Sequence, residues 1–180
     1  AFVFNNFKIM KINSGRFKNS SIEILRSSSI RPTTSLSRKS LFDTLGSLEN
    51  KSFLDIFSGS GIVGFEAASR GAKNVTFVEM HKKYLNQIIS NSKKFEYNKF
   101  TFLARDAHRF IKKSDYYDII FADPPYELYE LDVFIENALK KLNKNGILII
   151  ECSSKESLEG YDKIAKFGET NLLYWKVWKG

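Results

Sequence analysis

The chain alternates short apolar runs with amphipathic stretches, and this alternation limits its fold more than any other feature. The apolar runs predict strands at residues 52–57, 74–79, 100–104, 117–122 and 146–151. Several of these runs are apolar almost throughout, which is typical of strands covered on both faces of a parallel sheet. The stretches between them predict helices at residues 60–70, 81–93, 107–112 and 128–142. Strict alternation of strand and helix therefore predicts an α/β fold with a doubly wound sheet.

Glycines mark the expected ends of two of these helices. Gly71 follows the first helix, whose last turn holds Arg70, and Gly146 follows the last helix after Asn145. Glycine is the usual residue just beyond a helix, and a cation in the last turn interacts favourably with the helix dipole. Both glycines are therefore interpreted as helix stops.

The end of the chain departs from the alternation. Residues 161–167 and 172–178 read as two strands on either side of the turn 168–171. Because the connection is tight, the two strands are expected to form an antiparallel hairpin that closes one edge of the sheet.

The beginning of the chain also departs from it. Residues 8–13 and 21–25 flank Ser14-Gly15-Arg16, which predicts a small hairpin, and a helix is predicted over residues 35–45. A chain of 180 residues suits one core. We therefore expect residues 1–50, the basic hairpin and helix, to be part of the same domain as residues 51–180.

The net charge of +8 is concentrated at the beginning of the chain. Residues 1–39 carry eight basic side chains and one acid, whereas the remaining 141 residues are nearly neutral. A basic segment on a neutral body suggests an anionic partner, with nucleic acid the leading candidate. A solvated basic segment without a partner is the alternative.

The single cysteine, Cys152, lies in an apolar run and is expected to be a small core residue. It can form no internal disulfide and has no companions for a structural zinc site, so a reducing, cytoplasmic setting without a metal is expected. Neither a membrane span nor a secretion signal is evident in the sequence.

A glycine loop follows the first predicted strand of the sheet. Gly59-Ser60-Gly61-Ile62-Val63-Gly64 matches the G-x-G-x-x-G fingerprint and leads into a helix. Glycines let the backbone approach a ligand, and the helix N-terminus attracts an anion. Glu79 ends the next strand and can accept both hydroxyls of a ribose. The loop therefore indicates an adenosine cofactor, either a nicotinamide dinucleotide or S-adenosylmethionine.

Two carboxylates favour S-adenosylmethionine. Asp55 precedes the loop, where it suits the ammonium group of that cofactor or the network that holds the loop, and where it would repel a pyrophosphate. Asp106, followed by Ala107, comes after the third strand and can accept a hydrogen bond from an adenine amino group. A helix N-cap is the alternative role of Asp106.

Four residues after the fourth strand of the sheet, Asp123-Pro124-Pro125-Tyr126, predict chemistry on an amino group. In open α/β sheets, ligands bind beyond the carboxyl ends of the strands. The carboxylate of Asp123 and the carbonyl of Pro124 can accept the two N–H groups of an exocyclic amine, which frees its lone pair. Pro125 stiffens the loop, and Tyr126 offers a face on which a base can stack. These residues therefore favour an amino-methyltransferase over a plain Pro-Pro turn.

The chain resembles the RsmD family, methyltransferases that modify N2 of a guanine in 16S ribosomal RNA. Four segments carry the resemblance, in order: Lys11–Lys18, Arg31–Thr34 with Arg38 and Leu41-Phe42, the run from Asp55 to Glu79, and Asp123–Tyr126. Residues 1–7 have no clear counterpart, and His81 stands where the family commonly has an acid. The resemblance covers nearly the whole chain from Lys11.

The resemblance implies a seven-stranded, Rossmann-like class I methyltransferase fold, with a C-terminal antiparallel hairpin and a small N-terminal hairpin and helix extension. It implies a 16S rRNA substrate, for which naked RNA and an assembled or assembling 30S subunit are both open alternatives, and we expect a monomer. The expected cofactor contacts are Asp55, Phe57, Gly59, Ser60, Gly61, Glu79, Asp106 and Ala107. The expected RNA contacts are Arg16, Lys18, Arg26, Arg31, Thr33 and Arg38. For Thr33 and Thr34 a helix-cap role is the alternative.

Other enzyme classes remain as alternatives. An amino-methyltransferase acting on adenine N6 of DNA usually needs a larger recognition region than 180 residues allow. Enzymes that methylate a protein glutamine usually begin the tetrad with Asn. A nicotinamide oxidoreductase would leave Asp55 and the Pro-Pro tetrad unexplained, and a plain RNA-binding module would leave the glycine loop without a ligand.

Overall fold

The computed structural model describes residues 7–25, 33–125 and 130–176. The strands within these ranges are β1 (Phe7–Lys11), β2 (Ser21–Leu25), β3 (Ser52–Ile56), β4 (Asn74–Val78), β5 (Phe100–Leu103), β6 (Tyr117–Ala122), β7 (Leu142–Ser153), β8 (Lys163–Phe167) and β9 (Thr170–Lys176). The helices are α1 (Ser35–Leu45), α2 (Ile62–Ser69), α3 (Lys82–Ser92), α4 (Ala107–Lys113) and α5 (Leu131–Leu139). The predicted elements are thus present, with ends that mostly shift by one to three residues.

Seven of the described strands form one sheet in the order β5-β4-β3-β6-β7-β9-β8. Strands β3 to β7 pair in parallel, and β9 pairs antiparallel with both β7 and β8. The strand order reverses between β3 and β6, and ligands of open α/β sheets bind beyond such a switch point. This confirms the predicted Rossmann-like fold with its C-terminal antiparallel hairpin.

Alternate residues of the parallel strands fill two cores, one on each face of the sheet. Phe53, Phe77 and Phe121 point to one face, whereas Leu54 and Ile120 point to the other. All five are nearly or fully buried. Burial on both faces explains why these strands read as continuous apolar runs in the sequence.

The hairpin β1–β2 and helix α1 pack on the first of these two faces. Ile22, Ile24 and Phe42 belong to the same core as Phe53 and Phe77. The amide of Asn91, near the end of α3, is almost fully buried. Its Oδ1 accepts from the backbone nitrogen of Glu23 at 3.1 Å, and its Nδ2 donates to the backbone oxygen of Glu23 at 2.8 Å. The hairpin is therefore held by apolar packing and by this paired hydrogen bond.

The prediction for Gly146 as a helix stop is wrong. Helix α5 ends at Leu139, and Gly146 lies inside strand β7. The pairing of β7 with β6 is irregular near Gly146, and Asn145 has a φ of 60°. A Cβ on Gly146 would lie 2.9 Å from the backbone oxygen of Asn143. The glycine thus accommodates a tight bend of the strand, a need that looks the same in sequence as a helix stop.

The two hairpins also differ in detail from the prediction. The turn between β8 and β9 has two residues, Gly168 and Glu169, so that the second strand begins at Thr170. The loop between β1 and β2 is longer than Ser14-Gly15-Arg16 and covers residues 12–20. The longest helices within the described ranges have eleven residues, and none could cross a membrane.

Candidate functional site

The glycine loop lies between β3 and α2 at the carboxyl edge of the sheet. Gly59 and Gly61 both have positive φ, 52° and 73°, and the nitrogen of Gly61 donates to the backbone oxygen of Ser58 at 2.7 Å. Phe57 also has positive φ, 59°. Such a conformation is uncommon for a residue with a side chain and marks local strain of the kind that collects at functional sites. The loop is thus a tightly turned segment that opens directly into helix α2.

Asp55, on strand β3, holds the first turn of α2 through a hydrogen bond. Its side chain is almost fully buried, and Oδ2 accepts from the backbone nitrogen of Gly64 at 2.9 Å. Burial raises the pKa of the Asp55 carboxyl well above its usual range, the hydrogen bond from Gly64 opposes the shift, and the charge of Glu79 adds to it. Of the two roles expected for Asp55, this contact belongs to the network that holds the loop; a contact with a cofactor ammonium stays a prediction.

Gly64 has no room for a side chain. A Cβ there would lie 2.3 Å from Cε1 of Phe77 and 3.1 Å from Oδ2 of Asp55. The third glycine of the fingerprint therefore serves the close packing of α2 against strand β4, as this type of loop requires.

Glu79 holds the other side of the loop. Its carboxylate is mostly buried; Oε2 accepts from the nitrogen of Gly59 at 2.9 Å, and Oε1 accepts from the nitrogen of His81 at 2.8 Å. The carboxylate oxygens are thus oriented by one backbone group of the glycine loop after β3 and one of the segment after β4. The predicted ribose contact stays a prediction, made by a carboxylate that is already fixed in place.

Asp106 caps helix α4. Its Oδ1 accepts from the backbone nitrogen of Arg109 at 2.9 Å, and Ala107 is buried at the first helical position. The alternative role named for Asp106 is therefore present. A hydrogen bond from an adenine amino group to Asp106 stays a prediction. It is compatible with the cap, because the second carboxylate oxygen can accept it at the same time.

A cleft brings the glycine loop and the end of β6 together. Its lining consists of Thr33, Asp55, Phe57, Ser58, Gly59, Ser60, Ile62, Val63, Phe121 and Asp123. Two of the predicted groups, the loop residues and Asp123, therefore share one space. Four predicted cofactor residues do not line it: Gly61 of the loop itself, and Glu79, Asp106 and Ala107, which lie farther along the same edge of the sheet, beyond β4 and β5.

Asp123 follows strand β6 directly. Its side chain is half-buried, Pro124 is buried and Pro125 is exposed. Tyr126, the fourth residue of the predicted amine site, lies outside the described residues. Asp123 is near Cys152 on β7: burial first, and then the charges of nearby carboxylates including Asp123, raise the pKa of this thiol to about 11. Cys152 is a buried core residue as predicted, and it remains a neutral thiol at pH 7.

Glu151 is a buried acid that the sequence reasoning missed. It follows Ile150, whose partner on β6 is Ala122, so it stands beside Asp123 at the sheet edge. Its Oε2 accepts from Oγ1 of Thr33 at 2.6 Å, and both side chains are more than nine-tenths buried. A carboxylate ending an apolar strand was the signal that identified Glu79, and it could have identified Glu151.

The predicted RNA contacts divide into three groups. Arg16 and Lys18 are exposed, and Arg26 and Arg31 lie outside the described residues. Thr33 is buried in the cleft lining and bonded to Glu151, and the helix cap is Thr34, whose side chain accepts from the nitrogen of Ser37 at 3.1 Å. Thr33 can thus meet a ligand only inside the cleft.

The predicted RNA contact of Arg38 is wrong, because its side chain is only 1% exposed. Its guanidinium donates to the backbone oxygens of Thr33 at 3.2 Å and Lys11 at 2.8 Å, and to Oδ1 of Asn13 at 3.1 Å. Burial lowers the pKa of Arg38, and the nearby charge of Glu66 opposes this effect. Arg38 fastens the hairpin to helix α1 and has no open surface to offer a phosphate.

Within the part of the chain that the structure describes, no three His, Cys, Asp or Glu side chains are grouped in a way that could hold a metal ion. The space around the glycine loop does suit an adenosine cofactor. Gly61, the N-cap of α2, has no side-chain acceptor of its own, and the nitrogen of Ile62 makes only a long hydrogen bond to Oγ of Ser60, at 3.3 Å. Such a terminus can take the carboxylate of an amino-acid ligand.

Comparisons with solved structures agree with this architecture. The Escherichia coli protein yhhF, described as a methyltransferase, superposes with a TM-score of 0.84 at 23% identity, covering 96% of this chain and all of that one. A second structure, SMU.776, described as a methyltransferase complexed with SAH, superposes with a TM-score of 0.75 at 16% identity, over 96% of this chain and 56% of that one.

Sequence comparisons identify the family. The family described as Conserved hypothetical protein 95 matches residues 10–176. Ribosomal RNA small subunit methyltransferase D of Buchnera aphidicola (strain APS) is 34% identical over 88% of this chain and 85% of its own length. The protein of that name from Escherichia coli K12 is 30% identical over 79% of this chain and 71% of its own length. The chain therefore belongs to the Conserved hypothetical protein 95 family, the RsmD family of methyltransferases.

Proposed function

We propose that the protein transfers a methyl group from S-adenosylmethionine to the exocyclic N2 amine of a guanine in 16S rRNA. The observation that carries this proposal is the shared cleft, in which the glycine loop and Asp123 face one space. Several relatives are named as small-subunit rRNA methyltransferases, which supports the substrate. Such a substrate would place the enzyme in the cytoplasm, acting as a monomer on free RNA or on an assembling 30S subunit.

The cofactor would lie along the carboxyl edge of β3, β4 and β5. The N-terminus of α2 would receive its carboxylate, Asp55 its ammonium group, Glu79 its ribose and Asp106 its adenine amino group. Met80, next to Glu79, is 57% exposed and offers an apolar surface for an adenine ring. When bound, S-adenosylmethionine supplies an electrophilic methyl group on a sulfonium.

The amine would be activated by Asp123 and the carbonyl of Pro124. The N2 lone pair of guanine is delocalised into the ring, and acceptors for both N–H groups favour a tetrahedral nitrogen. The nitrogen then forms a bond to the methyl carbon as the carbon–sulfur bond breaks. The methylated nitrogen is acidic and loses a proton to Asp123 or to water, so no stronger base is needed. Thr33, held by Glu151, forms one wall of this space.

An Asp123→Ala substitution tests the assignment. We expect the rate of methyl transfer to small-subunit RNA to fall by about 10²- to 10³-fold, because the lost hydrogen bond strengthens most as the amine becomes tetrahedral. Binding of S-adenosylhomocysteine, measured by calorimetry, should stay within a few-fold of wild type.

Asp115→Ala is the matched control, since this exposed aspartate precedes the same strand at its opposite end. Release of S-adenosylhomocysteine by Asp123→Ala would contradict the role of Asp123. Mapping of the methylated nucleotide by mass spectrometry identifies the base, and a methylated adenine would contradict the proposed substrate.

A further inference from the structure

Glu66 is a fully buried carboxylate on α2 for which the proposed reaction has no use. Its two oxygens accept from the backbone nitrogens of Asn13 at 2.7 Å and Ser14 at 3.0 Å. Nε of Arg70 donates to it at 2.8 Å, and Nε of Arg38 lies 3.8 Å away. The carboxylate thus joins the loop between β1 and β2 to the helix that begins at the glycine loop.

Ser69, at the last position of α2, holds the same loop. Its hydroxyl donates to the backbone oxygen of Ser14 at 2.6 Å and accepts from the nitrogen of Phe17 at 2.8 Å. Its backbone oxygen accepts from the nitrogen of Arg16 at 2.7 Å. A Cβ on Gly15 would lie 2.0 Å from that oxygen, and Gly15 has a φ of 85°. The loop therefore rests directly on the end of α2.

The docked loop presents two exposed cations to solvent, Arg16 and Lys18. Between them, the ring of Phe17 packs on Phe95 at 4.7 Å, and the guanidinium carbon of Arg16 lies 5.5 Å from the centre of the Phe17 ring. The ion pair of Arg16 with Glu96 is highly exposed, so it competes little with a phosphate. The loop is thus hydrogen-bonded to α2 on one side and exposes two cations on the other.

We infer that α2 fixes the distance between the methyl donor and the RNA backbone. Glu66 and Ser69 are the positioning residues that hold the loop of residues 12–20, which contacts the RNA, near the C-terminal end of this helix. From Gly61 to Ser69 the helix rises about 12 Å. This fixes the separation between the glycine loop at one end and Arg16 at the other. The inference rests on the proposed RNA substrate.

The hydrogen bonds of Glu66 and Ser69 to the loop of residues 12–20 suit a positioning function. Apolar packing alone could hold the hairpin against the sheet without burying a charged cluster, which costs desolvation energy. Hydrogen bonds from two consecutive backbone nitrogens to one carboxylate, and the three bonds of Ser69, fix distance and direction as well. Their joint effect is to prevent the loop from sliding along α2.

Ser69→Ala and Gly15→Ala test the inference from the two sides of the contact. Each should raise the KM for small-subunit RNA about 10-fold, equivalent to one or two lost hydrogen bonds. We expect kcat at saturating RNA and the affinity for S-adenosylhomocysteine to stay within about twofold, because the cleft itself is untouched. Ser92→Ala is the matched control, since Ser92 ends α3 and its hydroxyl donates to the backbone oxygen of Ile89 at 2.7 Å, within the same helix.

The possible outcomes separate a positioning role from a structural one. Loss of folded protein lowers kcat per total enzyme at constant KM, and normalising to the fraction that binds S-adenosylhomocysteine corrects for it. An unchanged KM for RNA in both variants overturns the inference, and so does a parallel loss of cofactor affinity. If wild-type protein itself fails to methylate small-subunit RNA, the proposed function has failed and not the docking contact alone.

Discussion

The two ends of helix α2 are held by the same chemistry but are built from different parts of the chain. At its beginning, carboxylates of Asp55 and Glu79 accept backbone N–H groups of the glycine loop and the first turn. Toward its end, Glu66 and the Ser69 hydroxyl accept backbone N–H groups of the hairpin loop. Buried polar groups must be paired in this way, since an unpaired one costs about 1–3 kcal/mol.

The difference lies in the distance along the sequence that each contact spans. Asp55 and Gly64 are 9 residues apart, and Gly59 and Glu79 are 20 apart. Glu66 reaches across 53 residues to Asn13. The first end is thus contained in one strand–helix–strand unit, whereas the second end depends on how the N-terminal extension folds back. The second end can therefore be changed without altering the first end, which is the proposed cofactor end.

The largest expected effect on cofactor affinity comes from comparing the same Glu→Gln change at the two ends of α2. Glu79→Gln should weaken S-adenosylhomocysteine binding by on the order of 10²-fold, because the charge on the proposed ribose hydrogen bonds is lost and the NH2 of the amide would face one of the two backbone N–H groups. Glu66→Gln should leave that affinity within a few-fold. Calorimetry on both variants measures the contrast, and equal losses would show that the two ends are not separable.

Asp55→Asn tests how the buried carboxyl at the N-terminal end of α2 contributes to stability. Burial raises the pKa of Asp55, so the folded protein holds this proton more tightly than the unfolded chain does. The stability contributed by the protonated carboxyl is present at low pH and is lost as the pH rises through the folded pKa. Asparagine, which never ionises, should therefore raise the Tm at pH 8 and raise it less at pH 5.

The same variant should bind S-adenosylhomocysteine about 10-fold more weakly, as expected when one charged partner of an ammonium is lost. Thermal scans at the two pH values and calorimetry at pH 8 provide the measurements. A Tm that falls at pH 8 would mean that the ionised carboxylate stabilises the loop, contrary to the argument from burial.

The smallest effect is expected from the two exposed cations of the hairpin loop at the C-terminal end of α2. Arg16→Gln with Lys18→Gln should make the dependence of log K on log salt shallower by about 1.5 for small-subunit RNA, since each phosphate contact releases close to one counterion. Lys140→Gln with Lys144→Gln removes the same charge from exposed positions after α5 and should leave the slope unchanged. Filter binding between 50 and 200 mM salt, roughly the range over which such slopes are measured, compares the two pairs. Equal slopes in both would mean that the basic loop does not touch RNA.

Most of the fold and the first end of α2 could be predicted from sequence, because both depend on local patterns. Apolar runs alternate with helical spacing, and Gly59 to Gly64 follows a strand directly. The position of Asp123 beside the loop follows from the rule that parallel strands share a carboxyl edge. In each case the residues that decide the structure are close in sequence or related by the sheet.

The second end could not be predicted in this way. Arg38 lies in a basic segment and reads as a surface cation, yet it is buried among Glu66, two acceptors of the N-terminal hairpin and the backbone oxygen of nearby Thr33. Glu66 itself reads as an ordinary helix residue. Likewise, the partner of Glu151 is Thr33, 118 residues away. Such pairings are set by the packing of the extension on the sheet face and leave no periodic signal.

The paired hydrogen bond between Asn91 and Glu23 has a consequence for the behaviour of the protein in a crowded cell. A two-stranded ribbon such as β1–β2 exposes backbone groups that can recruit a strand from another molecule. The side-chain amide of Asn91 occupies both the N–H and the carbonyl of Glu23 on that edge. It acts as a one-residue substitute for a third strand, so this position on the edge of β2 offers neither its N–H nor its carbonyl to a strand of another molecule.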